Sequence, residues 1–268
     1  MVDSFSMDLS LGSWILFLIA GVVTGVINTL AGSGSLITLP IFNLICGLPL
    51  TVANGTNRIG ALIQSGVGLY SLHRTGQFSG KGAAWLVGAA LLGAILGANL
   101  AVSLDETMMN YTIAGLMIFM LAVLLVNPKQ WIRESEASAE GNRSLKNLII
   151  FFLIGAYGGF IQAGVGVFLL AGLVLSAKYS LKAANGVKLL IVFCFSIPAL
   201  YIFLSQGMVH WGFGLSMAAS QSVGAVLAVR WLSKVPQANV WIHRLLILIV
   251  IAAALKYLGV YSWIGGMM

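Results

Sequence analysis

Charged side chains make up only 8% of this 268-residue chain, and acids are the rarer kind, with 7 Asp and Glu against 14 Lys and Arg. A soluble domain of this length needs roughly 25% charged residues to cover its surface. A water-soluble fold is therefore excluded. The two cysteines, Cys46 and Cys194, lie in or beside apolar segments with no partner at metal-ligand spacing. Buried free thiols are expected, not a disulfide or a zinc site. His73, His210 and His243 fall at expected loop edges and form neither a nucleophilic triad nor a metal cluster, so surface histidines are expected. No Walker motif or nucleotide fingerprint is present, which gives no sign of ATP-driven pumping. Met1–Ser10 carries Asp3 and Asp8 where a leader would be basic, so the first helix is expected to be retained.

Hydrophobic residues, at 59%, dominate instead. Apolar runs recur at Ser13–Thr29, Ile59–Leu72, Ala83–Val102, Thr107–Val126, Leu148–Ile161, Val187–Leu204, Trp211–Val229 and Leu245–Val260. Most approach the roughly 17–25 residues that a helix needs to cross about 30 Å of hydrocarbon. The expected fold is an all-α polytopic membrane protein, with the lipid bilayer as its first partner. The net charge of +7 implies no nucleic acid, because the basic residues sit in short loops between runs, the positive-inside pattern. Most of the tryptophans lie near run ends, as an aromatic belt does.

The chain is also related to itself. Displaced by 131–132 residues, Ala31-Gly32-Ser33-Gly34 falls on Ala163-Gly164-Val165-Gly166, and Ala53-Asn54-Gly55 falls on Ala184-Asn185-Gly186. Gly76 then meets Gly207, and Gly93-Ala94 meets Gly224-Ala225. This divides the chain into a first transmembrane repeat (1–127), a cytoplasmic linker (128–146) and a second repeat (147–268). Each repeat offers about five helical pieces. The second piece of each, Ser35–Cys46 and Val167–Ala177, covers only about 16–18 Å at 1.5 Å per residue. Helix breaks or re-entrant tips near the midplane are expected ahead of them.

Loop charges set the orientation. His73–Lys81 is basic, whereas Ser103–Thr107 holds Asp105 and Glu106. In the second half the order reverses: Ser205–His210 lacks Lys and Arg, while Arg230–Arg244 carries three. Corresponding loops then lie on opposite sides of an inner (plasma) membrane, and both termini fall outside. Inverted-topology repeats of this kind build many secondary transporters, with sites near the midplane at the repeat interface.

Two motif pairs could bind a ligand there. The glycine-rich tips, with Gly32, Ser33, Gly34 and Ser35 in one half and Gly164 and Gly166 in the other, free backbone N–H groups at helix N-termini and could cradle an anion. Close packing through small residues is the competing use. The polar clusters Asn54, Asn57 and Arg58, and Asn185 and Lys188, deliver one cation per half to nearly the same place. Intramembrane cations by default mark function, although a cation near a helix start can also snorkel to the headgroups. Recurrence at repeat-related positions favours a site for both pairs. All seven acids, Asp3, Asp8, Asp105, Glu106, Glu134, Glu136 and Glu140, lie in a terminus, a short loop or the linker, which fits an anion pathway and disfavours a cation pathway. Of the neutral polar groups, Asn28 and Gln162 lie beside the tips and join the candidate substrate-binding set, while Gln64, Asn99 and Gln221 read as interhelical glue. No catalytic residue, metal or cofactor is expected, since no paired acid, triad or metal cluster lies at depth.

Asn28-x-x-Ala31-Gly32-Ser33-Gly34-Ser35, Thr38-x-Pro40 and Asn54-Gly55-Thr56-Asn57-Arg58 resemble the first-half signature of the TauE/SafE sulfite exporter family. Gly158-Gly159, Ala163-Gly164-x-Gly166 and Asn185-x-x-Lys188 resemble its second half. The resemblance spans nearly the whole chain. It implies an inner-membrane permease for sulfite, sulfoacetate or another small sulfur-containing anion. Gln162 is bulkier than the small residue expected beside the second tip, and that tip lacks the serines of the first.

Overall fold

A computed structural model describes residues 9–80, 82–125 and 144–230. These are all helix and connecting turn: α1 (Leu11–Leu30), α2 (Ser35–Leu44), α3 (Leu50–Arg74), α4 (Ala84–Val102), α5 (Glu106–Leu125), α6 (Leu145–Ile161), α7 (Val165–Ala171), α8 (Leu181–Ser205) and α9 (Trp211–Arg230). A π-helical turn, Gly172–Ser176, extends α7. Five helices, α1, α4, α5, α8 and α9, are long and apolar enough to cross a membrane. Most of the expected linker and the whole run at Leu245–Val260 lie outside the described residues.

Serine caps start several of these helices. Ser10, Ser144 and Ser180 each accept the backbone N–H three residues on, which fixes the first turns of α1, α6 and α8. Helix α3 follows Pro49 and has no side-chain cap of its own. Its first N–H groups are served from α5: Leu50 N and Thr51 N donate to the Glu106 carboxylate at 2.6 and 3.3 Å, and the Thr51 hydroxyl donates at 2.7 Å. Glu106 is thus the first residue of α5 and a tertiary cap for α3.

Two expectations are corrected, and two helices prove longer than their apolar runs. Helix α3 begins at Leu50, ahead of the run at Ile59, and α8 at Leu181, ahead of the run at Val187. The polar clusters therefore lie inside the helices. A hydropathy run breaks at such residues, but a helix does not when their side chains find partners on neighbouring helices. The second short piece starts at Val165, two residues earlier than expected. His210 is buried, with its Nδ1 accepting Phe213 N at 3.3 Å and its ring 4.6 Å from the Phe213 ring. It caps α9 and is not a surface histidine.

Packing joins the two parts of the chain crosswise. Helix α1 lies along α9 and α6 along α4, while α3 packs on α8 and α9, and α8 on α4. The α4–α6 seam is the tightest. A Cβ on Gly93 or Gly97 would overlap α6 backbone, and one on Gly155 or Gly159 would overlap α4 backbone. Glycine is required at these positions because each helix rides directly on the other's carbonyls. Large apolar side chains such as Leu11, Leu92, Tyr111, Leu153 and Tyr201 face outward, as helices in lipid present them.

Candidate functional site

The site grows from two broken helices. Between α1 and α2 the chain turns through Ala31–Gly34, with Gly32 at φ 78°. Between α6 and α7 it turns through Gln162–Gly164, with Gln162 at φ 38° and Gly164 at φ 70°. The two breaks meet. Gly166 N donates to Gly32 O at 2.9 Å, and a Cβ on either glycine would overlap the other's backbone.

Breaking a helix orphans the carbonyls of its last turn. Each break is served by a cation from the other half of the chain. Lys188 of α8 donates to Thr29 O at 2.8 Å and Asn28 O at 3.1 Å, at the end of α1. Arg58 of α3 donates to Gly158 O at 2.5 Å and Gly159 O at 2.8 Å, at the end of α6. Beside it Asn54 Nδ2 donates to Phe160 O at 2.8 Å, and the guanidinium sits 5.0 Å from the Phe203 ring centroid. Both cations are almost wholly buried, so neither snorkels to the headgroups. Each complements the partial negative charge, about half an elementary charge, at a helix C-terminus. That leaves an uncompensated positive charge at each place. The two described carboxylates do not supply the balance: Asp105 caps α5 through Met108 N at 2.7 Å, and Glu106 is engaged with α3.

A cavity lies against the joined breaks. Asn28, Ser35, Gln64, Ser65, Gln162 and Lys188 are its polar lining, with Gly32, Val165, Gly166, Leu189 and Val192 completing the wall. Its volume is about 10 Å³, room for about one water. Asn28 Nδ2 donates to Gln64 Oε1 at 2.6 Å, and Gln64 Nε2 donates to the Thr29 hydroxyl at 2.9 Å. On the facing side Asn57 Nδ2 reaches Gln162 Oε1 at 3.4 Å, and Gln162 Nε2 reaches Ser196 Oγ at 3.3 Å. Gln162 is thus held at both ends of its amide. Its left-handed backbone, unfavourable for a residue with a Cβ, carries this side chain to the cavity wall.

Of the residues singled out from the sequence, Asn28, Gly32, Ser35, Gln162, Gly166 and Lys188 come together around this cavity. Asn57 stands one hydrogen bond away, holding Gln162 and accepting from Thr38 Oγ1 at 2.7 Å. Asn54 and Arg58 hold the end of α6 and do not line the cavity. Ser33 is buried with its hydroxyl unpaired, and Gly34 packs on Thr24. Gly164 packs on Met120, and Asn185 is half-buried with its Oδ1 unpaired. Gln64, read from the sequence as interhelical glue, does bridge to α1 and also lines the cavity, as does Ser65, which sequence reasoning left out. Helical spacing marks them: each lies seven residues, about two turns, beyond Asn57 or Arg58 on one face of α3.

The family model for the sulfite exporter TauE/SafE matches residues 17–257. The chain belongs to the TauE/SafE family of membrane transporters. A relative in Sinorhizobium, named probable membrane transporter protein ORF9, is 28% identical, and the match covers 90% of each chain. Another in Haemophilus influenzae, named probable membrane transporter protein, is 26% identical over 84% of this chain and 87% of its own. YdhB of Bacillus subtilis, likewise named a probable membrane transporter protein, is 23% identical over 83% of this chain and 90% of its own. No solved structure matches this TauE/SafE chain.

Proposed function

We propose that this TauE/SafE protein exports a small sulfur-containing anion, sulfite or an organosulfonate, across an inner membrane, and that it performs no covalent chemistry on it. The proposed carrier consists of two inverted-topology repeats, with the glycine breaks re-entrant near the midplane and both termini outside. The crosswise packing of α1 on α9 and α6 on α4 supports the repeats, since each pair has its counterpart in the other half. The small size of the cavity supports a carrier over an open anion channel.

One observation carries the anion. Lys188 is a buried ammonium on the cavity wall, and two of its three donors are held by the neutral carbonyls of Asn28 and Thr29. The cavity must widen beyond its room for one water to admit such an anion, which would then take the remaining donor and neutralise a charge already desolvated, with Asn28, Gln64, Gln162 and Ser35 beside its oxygens. The test is equilibrium binding of sulfite and methanesulfonate to purified wild-type and Lys188→Ala proteins. Losing one charge-assisted contact in this setting should weaken affinity by about 1.5–3 kcal/mol, roughly 10- to 150-fold. Wild-type affinity in a monodisperse Lys188→Ala protein would remove Lys188 from the site.

A further inference from the structure

The two cations occupy equivalent places but unequal surroundings. Arg58 has both terminal nitrogens on α6 carbonyls, Asn54 beside it on a third, and Phe203 against its face. The α6 end it holds is locked a second time by the glycine seam with α4, as α1 is by its seam with α9. The break that follows is tied again, by Tyr157 OH to Ala163 O at 2.5 Å and by Gln162 between Asn57 and Ser196. Arg58 is also kept off the cavity.

The α1 side has its own ties, a glycine seam with α9 at Gly25 and Gly224 and Gln64 bridging Asn28 and Thr29, but its cation is placed differently. Lys188 holds it as a point charge, through an ammonium that also lines the cavity. Among the described residues, the buried polar atoms left without a hydrogen-bond partner include Thr24 Oγ1 in α1, Ser33 Oγ in its break and Gln221 Oε1 on α9, which packs along α1, while Arg58 Nε and Asn185 Oδ1 are unpaired elsewhere. Such atoms are a strain reservoir, relieved if the segment shifts.

We infer a division of labour between the two cations. Arg58 is a positioning residue that fixes α6 and presents Gln162 to the cavity, whereas Lys188 is exchangeable. An anion entering the cavity draws the Lys188 ammonium from the carbonyls of Asn28 and Thr29. The α1–α2 break is thereby released as the moving gate, and the α6–α7 break stays fixed. This rests on the anion-binding reading of the cavity.

Amide hydrogen exchange on the full chain in lipid nanodiscs tests it, with sulfite and methanesulfonate as the probes. Either anion should speed exchange over residues 28–35 of the wild type by about threefold or more while residues 158–166 hold their rate. Lys188→Met should show the faster rate over 28–35 without anion and no further response. Equal responses at both breaks, a response confined to 158–166, or a wild-type rate over 28–35 in Lys188→Met would each overturn the inference. If neither anion alters exchange in the wild type and neither is carried in proteoliposomes, the anion reading itself fails. The Lys188→Met comparison then decides the unequal anchoring alone: loosening confined to 28–35 upholds it, and loosening of both breaks sinks it. A flux assay separates positioning from ligation. Arg58→Lys should lower the maximal rate with half-saturation kept within about threefold, whereas Lys188→Met should raise half-saturation. A raised half-saturation in Arg58→Lys, with a wild-type maximal rate, would assign Arg58 to the anion and overturn the division.

Discussion

Gly166 donates its backbone N–H to the carbonyl of Gly32 across 2.9 Å, so the two helix breaks form a single joint. Gly32 is at φ 78° there, and any Cβ would strike Gly166. Gly32→Ala should destabilise the protein by about 2–5 kcal/mol, the backbone term plus the overpacking against Gly166. Gly76→Ala, also at positive φ but with open space around it, should cost only the backbone term, about 1–2 kcal/mol. Thermal unfolding of the two variants in detergent measures the difference. Equal unfolding temperatures would show that the joint contributes nothing to stability.

Glu106 joins the turn after α4 to the start of α3. Its carboxylate takes two backbone N–H groups and the Thr51 hydroxyl at a helix end that carries no cap of its own. Glu106→Ala should lower stability by about 1–2 kcal/mol, as the loss of a helix cap and of its charge at the positive end does. Chemical denaturation followed by tryptophan fluorescence reads the change.

Loop charges make a topological prediction for the proposed inversion. With Cys46 and Cys194 replaced, Asp105→Cys and Gly207→Cys should label with an impermeant thiol reagent from the periplasmic side. Gln77→Cys and Ser138→Cys should label only after the cells are opened. Labelling of positions 105 and 77 from the same side would end the inverted-repeat proposal.

Export of a monoanion is favoured by an inside-negative potential by about 2.3 kcal/mol per 100 mV, a factor near 50. Such export requires no intramembrane carboxylate to hold a coupling ion. Flux in proteoliposomes should therefore follow an imposed voltage. Indifference to voltage together with strict dependence on Na⁺ would refute potential-driven export.

Much of this was legible in the sequence. The spans follow from apolar runs, and the breaks follow from Gly32, Gly34, Gly164 and Gly166, since little else interrupts an apolar helix so briefly. The starts of α3 and α8 were not legible by hydropathy. Asn54, Asn57, Arg58 and Lys188 are polar, yet they lie within helices because distant segments supply their partners, such as Gly158 O and Thr29 O. The same long-range bonds explain why Arg58 and Lys188 look equivalent in sequence while only Lys188 faces the cavity. The place of Gln64 was recoverable from helical periodicity, but its bond to Asn28 was not.

The crosswise packing also sets an order of events during synthesis. Helix α1 is made well before the helix it lies along, α9, which begins at Trp211. At about 5–20 residues per second, the chain between Leu30 and Trp211 takes roughly 10–40 s to emerge. Through that interval the glycine groove of α1 at Gly21 and Gly25 has only lipid, or the insertion machinery, to lie against. Helix α1 thus waits for its principal native neighbour, and a ribosome that stalls before α9 leaves it without one.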